Sequence, residues 1–173
     1  MTLLEVLKLA DKTEGSFVDL GYGKGVQAKE IFNFMLDDSI TKRNCIFVDQ
    51  FKGGDLGIWQ KAHDLSNEVQ NRLRKQASYQ KINILTESIN LFENPALVNL
   101  DLEKNNLAGI KQIFPSLVSN GIIVVRNYSK DIDKYLTSIT SAYKVVSLDN
   151  FSYIIKKSNT QSTKIRRTRS VLT

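Results

Sequence analysis

Phe17-Val18-Asp19-Leu20-Gly21-Tyr22-Gly23-Lys24-Gly25 is the stretch on which the reading of this chain turns. Ser16 to Leu20 is a short run of strand formers, and three glycines follow at alternate positions. Directly after them Ala28, Ile31, Phe32 and Met35 recur at i, i+3, i+4 and i+7, which predicts a helix. Glycines between a strand and a helix supply positive φ and let a ligand approach the backbone closely. In an open α/β sheet, the carboxyl ends of the strands are where ligands bind. The spacing argues against two common ligands. In the dinucleotide fingerprint G-x-G-x-x-G the last glycine stands one residue later than Gly25, and no Gly-Lys-Ser/Thr follows to make a P-loop. Asp19 makes the same point, because a carboxylate beside the loop repels a pyrophosphate but suits a ligand carrying a sulfonium and an ammonium.

Working outward, short apolar runs alternate with helical periods. Asn44 to Phe51 is the second expected strand, and Asp49 near its end can accept hydrogen bonds from both hydroxyls of a ribose. Trp59, Ala62, Leu65, Val69 and Leu73 sit near helical spacing. Lys81 to Leu85 and Ala96 to Leu102 are the third and fourth expected strands. Leu107, Ile110, Phe114 and Leu117 mark a helix that Asn120-Gly121 should stop. Ile122 to Val125 is a continuous apolar run, as in a strand covered on both faces. Ile132, Tyr135, Leu136 and Ile139 predict another helix. Tyr143 to Leu148 and Phe151 to Lys156, joined by Asp149-Asn150, predict a terminal hairpin. Residues 1–12 add an N-terminal helix. This order predicts an α/β fold with a doubly wound, mostly parallel sheet and an antiparallel C-terminal hairpin strand.

Composition bounds the rest. The chain has 173 residues, 42% hydrophobic and 24% charged, enough for one globular domain. No segment approaches the roughly 20 apolar residues that span a bilayer, and the start has no basic-then-apolar leader. With Cys45 the single cysteine, neither a disulfide framework nor a cysteine zinc site is available. A cytoplasmic setting is expected. The net charge is +6, of which four charges belong to Lys164, Arg166, Arg167 and Arg169, leaving +2 for the rest. The expected organisation is therefore one domain over 1–157 and a basic, flexible tail over 158–173.

Three segments together resemble the class I S-adenosylmethionine-dependent methyltransferases, which have a Rossmann-like fold, and most closely the macrocin O-methyltransferase group. Phe17 to Gly25 is similar to the first methyltransferase motif. Phe47-Val48-Asp49-Gln50-Phe51-Lys52-Gly53 resembles the group's F-D-S-F-x-G segment. Leu97-Val98-Asn99-Leu100-Asp101-Leu102-Glu103, with Ile110 to Tyr128, resembles its L-D-L-D strand and the strand carrying a paired Asp before Tyr. The resemblance implies S-adenosylmethionine as cofactor. It places Asp19, Gly21, Tyr22, Gly23 and Gly25 around the amino-acid half of that cofactor. Asp49 would hold the ribose, with Gln50 and Phe51 beside it. Glu87 and Ser88 would lie near the adenine, and Asp101 would face the methyl-transfer position as the candidate catalytic base.

The chain departs from the group at the paired Asp, where Arg126-Asn127 stands before Tyr128. Arginine cannot ligate a divalent cation and its fixed charge repels one, so no metal is expected there, and Asp101 is free to pair with Arg126. His63, within a polar helix, is expected on the surface, Cys45 as a buried small hydrophobe, and Trp59 as core. The implied function is O-methylation of a small molecule such as a sugar or related hydroxyl compound. A non-catalytic Rossmann-like cofactor-binding or interaction module is the alternative, consistent with the missing Asp pair. A nucleic-acid acceptor ranks last: neither an Asn/Asp-Pro-Pro-Tyr/Phe motif nor a catalytic cysteine motif is present. The chain is short for the group. The acceptor is then held partly by a second copy in a homo-oligomer, or is large and meets an open site, or catalysis has been lost.

Overall fold

The computed structural model describes residues 2–39, 43–50, 56–139, 143–147 and 152–158. In chain order the elements are α1 (Leu3–Ala10), β1 (Ser16–Leu20), α2 (Val26–Asp37), β2 (Cys45–Asp49), α3 (Leu56–Leu73), β3 (Ala77–Lys81), β4 (Pro95–Leu100), α4 (Asn106–Ile113), β5 (Ile122–Arg126), α5 (Lys130–Ile139), β6 (Tyr143–Ser147) and β7 (Ser152–Lys157). The strands form one seven-stranded sheet in the order β3-β2-β1-β4-β5-β7-β6. Strands β1 to β5 run parallel, and β7 pairs antiparallel with both β5 and β6. The expected α/β architecture, its mostly parallel sheet and its antiparallel terminal hairpin strand are therefore observed. Asp149-Asn150, which should join the hairpin, and residues 159–173 of the basic tail lie outside the described residues.

Alternation along the strands divides the core between the two sheet faces. Phe17, Phe47 and Leu97 pack on one side with Leu7 of α1 and Ile31, Phe32 and Met35 of α2. Val18, Leu20, Val48, Val98 and Leu100 pack on the other with Ile110 and Ile113 of α4 and Leu136 of α5. Burial on both faces explains why the central strands read as continuous apolar runs. Helix α1 starts with a reciprocal capping box, in which Glu5 N donates to Thr2 Oγ1 and Thr2 N donates to Glu5 Oε2. Cys45 is fully buried, and burial pushes its thiol well above the usual range, so it behaves as the small hydrophobe expected.

Three boundaries differ from expectation. The third strand is Ala77–Lys81 rather than Lys81–Leu85. It is an edge strand of polar sequence, and the apolar alternation of Ile82 and Ile84 belongs to the turn after it, where Ile84 dips into the core at 4% exposure. The fourth strand ends at Leu100, not Leu102. Helix α4 ends at Ile113 and tightens into a 3-10 turn over Phe114–Ser116 around Pro115, so Asn120, at φ 64°, sits in a turn before β5 rather than capping the helix. No helix among the described residues is long and apolar enough to cross a membrane.

Candidate functional site

The order of the strands reverses at β1 and β4, and the crevice above such a reversal is where open α/β sheets take ligands. Here a cleft of about 360 Å³ is lined by Gly21, Gly23, Gln27, Asp49, Asp101 and Lys104, among others. A second crevice of about 510 Å³ shares Gln50, Lys104 and Asn105 with it and continues along Lys81, Ile82, Asn83 and Glu87. A separate groove of about 520 Å³ lies between α2 and α3, away from the strand tips except at Tyr22, Lys24 and Gly25.

The loop between β1 and α2 has Gly21, Gly23 and Gly25 at φ of 98°, 53° and 78°. Gly21 is required for a further reason: a Cβ there would stand 2.0 Å from the carbonyl oxygen of Asp101, because the tips of β1 and β4 touch. Asp101 N donates to Leu20 O across the same contact at 2.9 Å. Asp49 accepts from Gly23 N at 2.9 Å through Oδ2 and from Gln50 N at 2.6 Å through Oδ1. The strand-tip carboxylate thus holds the glycine loop as well as facing the cleft. Gln50 lines both crevices and donates from Nε2 to Asn83 Oδ1 at 2.8 Å.

Other expected site residues fall in different places. Tyr22 lines the cleft but is only 3% exposed. Its ring meets Phe47 edge-on at 6.2 Å and its hydroxyl packs under Gly25, so most of it belongs to the core. Burial first, and the Asp19 charge second, push its phenol up to about 12. Glu87 lies in the turn after β3, where its Oε2 accepts from Asn83 N at 2.7 Å, and it lines the second crevice. Ser88 is exposed and lines neither crevice. Phe51 lies outside the described residues. His63 is partly buried on α3, with its ring edge-on to Tyr79 of the edge strand at 4.8 Å, and is absent from the cleft lining. The Trp59 side chain, expected as core, lies outside the described residues.

Asp19 is the largest surprise. Strand alternation puts it on the face of Phe17, under the loop, and it is 1% exposed and does not line the cleft. Its Oδ1 accepts from Asn99 Nδ2 at 2.7 Å, while Oδ2 has no hydrogen-bond partner. Burial raises its carboxyl to about 7 against the lowering effect of Asn99, and Asp49 and Asp101 add to the rise. Between pH values of roughly 4 and 7 the unfolded chain has released this proton and the folded chain keeps it, so stability falls as pH rises, by about 1 kcal/mol per unit, and then levels off. Asp19→Asn should remove that decline, giving a variant more stable than the parent at pH 8 and no more stable at pH 4. Urea unfolding across that range measures it, and parallel pH profiles for the two proteins would refute it.

At the tip of β4, Asp101 lines the cleft, and Arg126 Nε lies 3.7 Å from its Oδ2, the pairing expected from the sequence. Burial raises the Asp101 carboxyl above the usual range despite Arg126, with Glu103 and Asp49 contributing to the rise. Sequence reasoning missed Asn106, which is 2% exposed and ties both tips together: it accepts from Leu102 N and donates to Arg126 O. It also missed Gln112, whose side chain holds the turn beside the second crevice through Ile84 O, Glu87 O and Ile89 N. An Asn or Gln among apolar helix positions was the available signal for both.

No protein-family model matches the sequence, and no curated protein does either. Solved structures do match. The O-methyltransferase NovP superposes with a TM-score of 0.69 at 14% identity, over 91% of this chain and 80% of that one. CalS11, a TDP-rhamnose 3'-O-methyltransferase of calicheamicin biosynthesis, gives 0.65 at 13% identity, over 89% and 76%. The chain has the class I methyltransferase fold. An rRNA methylase from Streptococcus thermophilus shares it too, with a TM-score of 0.58 at 12% identity over 90% of this chain and 95% of that one. Identities this low carry the architecture and leave the acceptor open.

Proposed function

We propose that this protein is an S-adenosylmethionine-dependent methyltransferase acting on a hydroxyl of a small molecule, such as a sugar or a related compound, as its resemblance to the macrocin O-methyltransferase group implies. The observation that carries the reading is the paired crevice at the reversal of the sheet. Glycines of positive φ and the open first turn of α2 bound one end, Asp49 and Gln50 the middle, and Asn83 with Glu87 the other. Such a cleft suits an amino acid, a ribose and a base in that order.

When bound, S-adenosylmethionine supplies a methyl group on a sulfonium, whose C–S bond breaks as the acceptor's O–CH₃ bond forms. The protein's part is mainly positioning. Asp49, which lines the cleft at the tip of β2, accepts hydrogen bonds from the ribose hydroxyls. Asp101 takes the acceptor's hydroxyl proton on its carboxylate, aided by a raised affinity for protons. Magnesium does not fit between Asp101 and Arg126. A divalent cation needs several anionic or carbonyl oxygens, and the guanidinium already occupies that side of the carboxylate.

Calorimetric titration with S-adenosylmethionine and S-adenosylhomocysteine tests the reading, and no binding at millimolar ligand removes it. Asp49→Ala should weaken donor affinity by about 1–3 kcal/mol, the usual loss when a buried polar partner is removed. Unchanged affinity in that variant would show that the ribose lies elsewhere. The alternative, a non-catalytic cofactor-binding module, draws on the Asp101–Arg126 pair standing at the methyl-transfer position. Donor binding without turnover over a panel of sugars, phenols and RNA would favour it.

A further inference from the structure

We infer that Arg126 reads an oxyanion on the acceptor, so that the methylated molecule carries a carboxylate or a phosphate beside its reacting hydroxyl. The inference rests on the methyltransferase reading of the cleft.

Arg126 ends β5, one step beyond the pairing of Leu100 with Val125, and stands beside Asp101, which lines the cleft. Its starting point is fixed. Buried Asn106 donates to the Arg126 carbonyl, and Asn127 at φ 56° turns the chain away immediately afterwards. The side chain beyond that anchor is half exposed, and its one ion pair is the 3.7 Å contact through Nε. A guanidinium has five N–H donors. The four on Nη1 and Nη2 have no hydrogen-bond partner among the described residues.

Stability does not account for this residue, since an ion pair this exposed contributes between about 0 and 1 kcal/mol. Its chemistry suits recognition instead, because a planar fork of N–H groups matches two oxygens of a carboxylate or phosphate. The local charge balance points the same way. Asp49, Asp101 and Glu103 line the cleft together with Lys24 and Lys104, which leaves one negative charge in excess on its lining. An anionic acceptor whose hydroxyl reaches Asp101 needs a countercharge beside that carboxylate, and Arg126 stands 3.7 Å from it. A neutral hydroxyl oxygen can accept from a single Nη donor, whereas an oxyanion takes two at once with charge assistance. The acceptor's anionic end therefore sits on Arg126 and directs its hydroxyl toward Asp101.

Two oxyanions serve as probes, inorganic phosphate and benzoate, each titrated into protein saturated with S-adenosylhomocysteine and followed by the Arg126 Nε–Hε resonance. The resonance is assigned from its absence in Arg126→Gln, and calorimetry follows binding in that variant. Saturable binding of at least one probe is expected in the parent, weakened about tenfold or more in Arg126→Gln, with Arg126→Lys between them. The stronger probe tells carboxylate from phosphate. Absence of a saturable response to both anions, or equal binding by Arg126→Gln, overturns the inference. Affinity for S-adenosylhomocysteine should be the same in parent and Arg126→Gln. If the parent fails to bind that ligand, the donor reading falls, while anion titration of the free protein still judges Arg126.

Discussion

Gly21→Ala is expected to cost at least about 3 kcal/mol of folding stability, a fall in Tm of about 6–12 °C for a chain of this length. Two effects combine at this position. At φ 98° an alanine is strained, and its Cβ would lie 2.0 Å from the Asp101 oxygen and 2.6 Å from its carbonyl carbon. The neighbouring atoms cannot give way as a flexible side chain would. They are backbone, pinned by the Asp101 N to Leu20 O hydrogen bond, so β1 and β4 must part at their tips. Gly23→Ala is the matched control. It also has positive φ, at 53°, but the nearest atom to its Cβ is 4.0 Å away, so the loss should be about 1 kcal/mol. Thermal unfolding of the two variants beside the parent decides it. A Gly21→Ala midpoint close to that of Gly23→Ala would mean that the strand tips are not in contact.

Arg43→Ala should cost about 3–5 kcal/mol, the range for removing one partner of a buried charge pair. Arg43 is 4% exposed and packs against the segment that joins α1 to β1. Its Nε donates to Asp11 Oδ1 at 3.1 Å, its Nη2 to Asp11 O at 2.6 Å, and its Nη1 to Thr13 O at 2.6 Å and Gly15 O at 3.0 Å. The guanidinium also lies 4.9 Å from the centre of the Phe17 ring. Truncation leaves the Asp11 carboxylate buried without its guanidinium, though still accepting from Ser39 Oγ at 2.7 Å, and strips a donor from three carbonyls. Arg43→Lys should recover only part of the loss, because an ammonium cannot reproduce the fork. Asp11→Ala added to Arg43→Ala should cost less than the sum of the two single changes. Chemical denaturation of the four proteins tests this, and additive losses would show that the two groups act independently.

How far the sequence reached can be followed residue by residue. The period of Ala28, Ile31, Phe32 and Met35 placed α2 correctly because one face of that helix meets the sheet, and the core repeats that period. The run Ile122 to Val125 read as a covered strand because both faces are covered. β3 was placed too late because an edge strand buries little and its sequence, Ala-Ser-Tyr-Gln-Lys, carries no apolar alternation, while the following turn does. For the site, the glycine loop, Asp49, Gln50 and Asp101 were legible, since each follows a strand whose apolar run is visible. Asn106, Gln112 and Arg43 were not, because their partners lie far off in sequence: Arg126 for Asn106, Ile84 and Ile89 for Gln112, and Asp11 for Arg43.

By itself the sequence determined the α/β class, the glycine turn and the substitution of Arg126-Asn127 for an acidic pair, because period, turn chemistry and charge are local properties of a chain. Only the tertiary structure decided which carboxylate meets the cleft and which is buried beneath it. Asp19 and Asp49 look alike in one dimension, each near the end of an apolar run. Strand alternation and the packing of Asn99 put Asp19 in the core with an unpartnered oxygen, whereas the end of β2 leaves Asp49 at the rim, holding the loop. Whether a side chain meets solvent or core depends on what the rest of the chain lays against it, and that is settled only when distant segments close together.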